Sequence, residues 1–214
     1  VSALEISRDA EHVYRVNGQK WPSVTQIIER VLHNPSLANW REHVGEELAA
    51  SISRRAAMHG TLIHELAAQH AEGEFYIPFT DVLDEEGEKQ IAAFREWMDK
   101  HVQDVILVER FVAHERYRYA GQLDLLCRFY NTKIPVLVDL KSGGSVSIDA
   151  RAQTMAYLMA AREMGVISGR CRRGVLWVPG GERAGKCIFQ EHTNASDEGA
   201  FMAMLTLWHW LESA

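Results

Sequence analysis

The sequence predicts an α/β protein, with a β-sheet covered by helices behind a mostly helical N-terminal part. Three observations predict this. Apolar residues recur at helical spacing through Glu46 to Ala71 and Asp84 to His101. The texture then changes to three consecutive strand-like runs, Val105 to His114, Arg118 to Tyr130 and Ile134 to Leu140. A helical stretch, Asp149 to Met164, precedes another strand-like run, so the core order is helix, three strands, helix, strand. At 214 residues, 47% hydrophobic and 24% charged, the chain suits one domain with one sizeable core. Residues 1–104 form its helical part, 105–192 its sheet core with a helix at 149–164, and 195–212 a closing helix.

The elements follow in order. His12 to Val16, Asn17-Gly18 and Gln19 to Trp21 read as a hairpin with a two-residue turn. Ser23 or Thr25 caps a short helix reaching Leu32, and Asn34-Pro35-Ser36 breaks it. A second short helix carries Leu37 and Trp40. Glu46 to Ala71 is a long Ala-rich helix with one internal glycine, Gly60. In the next helix Ile91, Phe94, Trp97 and Met98 share a face. Gly174 to Val178 and Lys186 to Gln190 read as strands. Ala195 to Leu211 closes the chain, with Phe201, Met204, Leu205 and Trp208 inward.

No apolar stretch approaches the roughly 20 residues of a membrane-spanning helix, and no secretory signal stands at the start. Cys127, Cys171 and Cys187 have no paired spacing, so a disulfide framework, a zinc ribbon and an iron–sulfur cluster are unsupported. A reducing, cytoplasmic setting fits this usage. A net charge of −6 argues weakly against nucleic acid, because phosphate contacts come from Lys and Arg. A metal-binding acidic site would itself lower the net charge. The densest basic stretch, Arg170 to Arg173 with Arg183 and Lys186 beyond, is either a solvated turn or a phosphate track.

Five pieces point to one chemistry. Ile134-Pro135-Val136-Leu137-Val138 reads as a buried strand, and it ends in Asp139-Leu140-Lys141. Residues i and i+2 share a strand face, so Asp139 and Lys141 project together while Leu140 points into the core. A buried carboxylate and ammonium are costly unless paired or used, and a plain salt bridge is the structural alternative. Gly121-Gln122-Leu123-Asp124 lies on the preceding strand, with Asp124 expected to face away from Leu123 and Leu125 on the side of Gln122. If the strands are neighbours, Asp124 and Asp139 converge and repel, and a divalent cation removes that penalty. The Leu140 carbonyl supplies a further candidate oxygen. Gly60 and His64 share a helix face, where a mid-helix glycine implies close packing on the sheet; a core histidine is the alternative. Gln153 and Tyr157 share a face of the helix after Asp-x-Lys, or else form a solvent-facing pair. Glu109 joins the acidic cluster or pairs with arginine.

The stretches Gly60 to His64, Ala120 to Asp124, Val138 to Lys141 and Gln153 to Tyr157 together resemble the PD-(D/E)XK nuclease superfamily. They look most like its RecB-like branch of phage-type and mitochondrial genome-maintenance exonucleases. Trp21 to Thr25 and Trp40 are similar to that branch's N-terminal helical region, and the final helix matches nothing in it. The resemblance implies a restriction-endonuclease-like core with a central mixed β-sheet flanked by helices. It implies a Mg²⁺- or Mn²⁺-dependent deoxyribonuclease, more an exonuclease than an endonuclease, of phage-type recombination or DNA repair. In that role His64, Asp124, Asp139 and the Leu140 carbonyl bind metal. Lys141 orients the water and stabilises the transition state, with proton transfer to it left open. Gln153, Tyr157, Glu109 and Gln122 support the site or contact DNA. The implied partner is DNA, with a recombinase, a single-strand-binding protein or a helicase as candidate recruiter and an oligomer allowed. The implied location is the cytoplasm of a bacterium or of a phage-infected host. The competing class is a catalytically inactive DNA-binding or assembly protein on the same fold. An unrelated phosphate-ester hydrolase is disfavoured, because no phosphate-cradling Gly-x-x-x-x-Gly-Lys-Ser/Thr is present. A structural α/β module would require every motif to be coincidental.

Overall fold

The computed structural model describes residues 4–9, 13–32, 35–73, 83–130 and 132–213. The expectations for His12 and Asn34, and for the Leu37 side chain, lie outside the described residues.

Strands β1 (Ile6–Arg8), β2 (Tyr14–Val16) and β3 (Gln19–Trp21) form a small antiparallel sheet. The hairpin was expected, whereas β1 was not. Helix α1 (Val24–Val31) starts at a complete capping box, in which Ser23 Oγ accepts from Gln26 N and Gln26 Oε1 accepts from Ser23 N, each at 3.0 Å. Helices α2 (Pro35–Val44), α3 (Glu46–Ala71) and α4 (Glu85–His101) follow, with Asp84 capping α4 through Gly87 N.

The main sheet has the order β4-β5-β6-β7-β8, built from β4 (Val102–His114), β5 (Tyr119–Phe129), β6 (Val136–Lys141), β7 (Arg172–Trp177) and β8 (Ile188–Glu191). Its β6–β7 pair is parallel and joined through α5 (Asp149–Glu163), and the other pairs are antiparallel, so the sheet is mixed. Strand β4 begins three residues earlier than its apolar run predicts. Val102 ends α4 and pairs at once with Phe129 across a register shift, so no loop separates helix from strand.

Helices cover both faces. On one, α1, α5 and α6 (Ser196–Glu212) bury Ile27, Ala156, Phe201 and Leu205 against Leu123, Leu126 and Leu137. On the other, α3 and α4 bury Ile63, Leu66, Phe94 and Trp97 against Leu125, Val136, Val138 and Leu140. The protein is therefore a mixed α/β fold with a five-stranded sheet between helical layers. Among the described residues no helix is long and apolar enough to cross a membrane.

Candidate metal centre

The centre forms where β5 and β6 part. Their ladder runs from Cys127↔Val136 to Leu125↔Val138 and stops there. One residue on, the Asp124 carboxylate replaces the backbone, and its Oδ2 accepts the Leu140 N–H at 2.7 Å. Lys141 O accepts from Val178 N on the β7 side, so Lys141 faces β7 and Leu140 faces the opened edge. An extended residue sends its N–H and C=O to the same edge, which turns the Leu140 carbonyl toward Asp124.

Asp124 opens on the same cleft as Gln122, as expected, but its expected relation to the flanking leucines needs correction. Leu123 and Leu125 do not share a face; the first packs under α5 and α6, the second under α3 and α4. Regular alternation fails where the β4–β5 ladder pairs Val108 with Leu125 and Arg110 with Leu123 and skips Glu109 and Asp124 between them. Glu109 has φ +47°, a left-handed backbone rare for a residue with a side chain and costing of order 1–3 kcal/mol. Its turned carbonyl accepts from Gln122 Nε2 at 3.2 Å.

The break brings three candidate ligand residues together. His64, Glu109 and Asp124 each offer one ligand atom, and these atoms lie within 4.8 Å of one another. His64 Nδ1 stands 3.7 Å from Asp124 Oδ2, too far for a hydrogen bond but close enough to share an ion. Burial, and then the charge of Asp124, push the Glu109 carboxyl up to about 7. The charge of Arg8, which lines the same cleft, partly opposes that rise, so Glu109 joins the acidic cluster with an arginine nearby.

Asp139 and Lys141 project together as the strand period requires, with Lys141 Nζ 2.9 Å from Asp139 Oδ2. That oxygen sits on a side chain only 2% exposed, so the ammonium is the partner that offsets its burial. Burial raises the Asp139 carboxyl, opposed by Lys141 and reinforced by Asp124. Burial would lower Lys141, but Asp139 and Asp124 outweigh it and hold the ammonium above its ordinary value. Lys141 Nζ donates to Gln153 Oε1 at 3.0 Å, and Gln153 Nε2 donates to Tyr157 Oη at 3.0 Å. The Gln153–Tyr157 pair therefore faces the site and not solvent. The expected meeting of Asp139 with His64 and Asp124 is not formed: the ligand atoms that cluster are those of His64, Glu109 and Asp124, and Asp139 stands outside them, paired with Lys141. Two carboxylates and an imidazole make a donor set that fits a Mg²⁺- or Mn²⁺-type ion.

Gly60 lies beside the exit of β6, yet a Cβ there would meet Ser142 Oγ at an ordinary 3.5 Å, so close packing does not require the glycine. Gly121 is different, because a Cβ there would stand 2.5 Å from Tyr157 Cε1. A cleft of about 620 Å³ opens over His64, Glu109, Gln122, Asp124 and Tyr157. The N-terminal sheet contributes Arg8 and Tyr14 to its wall. Sequence reasoning missed both: the three-residue strand of Arg8 has no pattern to read, and nothing in the expected hairpin shows that Tyr14 packs beside the distant β5. Glu65 and Glu72 make the cleft predominantly acidic, which repels a polyanion in the absence of a cation.

Two arginines of the basic stretch are absorbed structurally, while Arg170, Arg183 and Lys186 stay exposed. Arg172 forms a two-point pair with Glu191 at 2.7 and 2.8 Å, and Arg173 is buried against Asp197. These two arginines are neither a phosphate track nor a solvated turn. No protein-family model matches this chain, and no curated protein matches it.

Proposed function

We propose that this chain is a divalent-metal-dependent deoxyribonuclease on a restriction-endonuclease-like core, an exonuclease of phage-type recombination or DNA repair acting in the cytoplasm. The observation that carries the reading is the convergence of His64, Glu109 and Asp124 beside the buried Asp139–Lys141 pair at the parting of β5 and β6. Element order supports it, with a helix carrying the histidine, three antiparallel strands carrying the carboxylates, and a helix leading to a parallel strand. The choice of exonuclease rests on the motif resemblance alone.

His64, Asp124, Asp139 and the Leu140 carbonyl, with Glu109 added, would hold the ion. When bound, it polarises the scissile phosphate, lowers the pKa of a coordinated water and neutralises the leaving oxygen. Lys141 is held as a cation, which suits it to orient water and stabilise developing negative charge more than to accept a proton. Gln153 fixes that ammonium from one side and is itself fixed by Tyr157. The acidic cleft makes DNA binding depend on the cation.

The test is cleavage of linear DNA with Mn²⁺, with EDTA as control, together with Mn²⁺ calorimetry. Asp124→Asn, Asp139→Asn and Lys141→Met should each lower kcat by roughly 100-fold or more while remaining folded. Full activity in Asp139→Asn refutes the assignment.

A further inference from the structure

Gln90, on α4, has no exposed surface. A buried primary amide is costly unless both its hydrogens and its oxygen are matched. Gln90 Nε2 donates to Val178 O at 2.7 Å and to Ser142 O at 3.1 Å. Its Oε1 lies 2.7 Å from His59 Nε2. A reversed amide would set its oxygen against two carbonyl oxygens, so the assignment is determined by its partners. The oxygen must then accept, and His59 carries its proton on Nε2. One side chain on α4 thus joins α3, the exit of β6 and the exit of β7.

The exit of β6 depends on such ties. Ser142 follows Lys141 directly, and Gly143-Gly144 comes next, where no atom lies within 4 Å of a Cβ position. The backbone there is held by Val178 N donating to Lys141 O at 2.8 Å, by Trp177 Nε1 donating to Gly143 O at 2.7 Å, and by Gln90. Gln90 bonds both Ser142 and Val178, so it fixes the two strand ends relative to each other. An apolar residue would fill the same space without that link. His59 lies on α3 ahead of His64, so the same amide also ties the helix that presents the histidine.

We propose that Gln90 is a positioning residue for Lys141, setting from behind the strand exit that aims the ammonium, without touching substrate. This inference rests on the nuclease reading above. Three variants test it. Gln90→Met keeps the shape and removes every polar atom. Gln90→Glu keeps an acceptor for His59 and turns an oxygen on the two carbonyls. His59→Leu cuts only the half-buried end of the network and covers the case in which a position-90 variant fails to fold. Each is measured for Mn²⁺ affinity by calorimetry, steady-state cleavage of linear DNA, and hydrogen exchange over residues 141–144.

Folded variants should bind Mn²⁺ within about threefold of the parent while kcat falls about tenfold or more at nearly constant KM, since small misplacements of a catalytic group cost up to about 100-fold. Exchange should rise at Ser142 to Gly144 and not across the sheet. A kcat within about twofold of the parent, unchanged exchange at those residues, or a kcat loss matched by lost Mn²⁺ affinity overturns the proposal. A parent protein that neither binds Mn²⁺ nor cleaves DNA overturns the nuclease reading and this inference with it. An active parent with equally active variants overturns this inference alone.

Discussion

Gly121→Ala changes one hydrogen to a methyl at the point where β5 meets α5. The added carbon would stand 2.5 Å from Tyr157 Cε1, 3.1 Å from Cδ1 and 3.4 Å from Val24 Cγ2. The Tyr157 ring is only 5% exposed and its hydroxyl is bonded to Gln153, so it has little room to retreat. Overpacking of this kind costs about 1–3 kcal/mol, and the contact belongs toward the upper end. The glycine is not left-handed, so alanine recovers about 0.4–1 kcal/mol by restricting the unfolded chain. The net loss is about 1–2 kcal/mol, which at about 2–4 °C per kcal/mol for a chain of this size lowers Tm by roughly 2–8 °C. Because the ring anchors Gln153 and through it Lys141, cleavage should fall by roughly tenfold as well. The assay is thermal and urea unfolding of Gly121→Ala, Tyr157→Leu and the double variant. With the ring gone, alanine at 121 should be neutral or stabilising, giving a coupling of about 1–2 kcal/mol. A single variant as stable as the parent, or a cycle additive within about 0.5 kcal/mol, refutes the reasoning.

Three further outcomes are expected. Glu109, near 7 when folded and about 4.3 when unfolded, binds a proton that the unfolded chain lacks between those values, so metal-free stability falls as pH rises through that window. Glu109→Gln should flatten this fall and raise Tm at pH 7.5 in EDTA, as melts across pH will show. Burial raises Asp197, but Arg151 and Arg173 more than offset it and hold the carboxyl below its ordinary value. Its stabilisation is present above the unfolded value of about 3.9 and lost as pH falls through the lower folded one. Asp197→Asn leaves Arg173 buried beside a neutral amide and should cost about 3 kcal/mol in urea unfolding at neutral pH, the low end for a broken buried pair because Thr154 and backbone carbonyls still bond the guanidinium. Tyr157→Phe leaves Gln153 Nε2 without its acceptor, costing about 1 kcal/mol in stability and lowering kcat more than KM in the DNA-cleavage assay.

Helices α3 and α4 were legible because 26 and 17 residues of periodic pattern outweigh any local ambiguity. Strand β6 was legible because its burial is continuous and its polar end abrupt. Asp139 and Lys141 needed only the two-residue period. The rest depended on contacts between distant segments. Strand β1, with three residues, has no pattern to read. Opposite the left-handed Glu109, the β5 alternation from which the facing of Asp124 was inferred fails between Leu123 and Leu125. Arg173 stands in a run of basic residues that looks solvated, and only the arrival of Asp197 from α6 makes it a buried ion pair. Gln90 is one polar residue in an amphipathic helix, and nothing local marks the two strand ends it joins.

The parting of β5 from β6 determines which substitution tests the centre cleanly. Asp124 would be a ligand, and it is also the acceptor for Leu140 N–H where the β5 backbone has withdrawn. Asp124→Ala removes both functions. It leaves a buried donor unmatched, at about 1–3 kcal/mol, and frees the strand that carries Asp139 and Lys141. Loss of cleavage in that variant would follow from metal loss or from strand movement alike. Asp124→Asn keeps an oxygen for Leu140 N–H and removes the charge that a cation requires. If Asp124→Asn melts like the parent but loses Mn²⁺ binding, the carboxylate acts as a ligand. If it binds Mn²⁺ as the parent does, the carboxylate is a ladder substitute, and the centre must be built from His64, Glu109 and Asp139 without it.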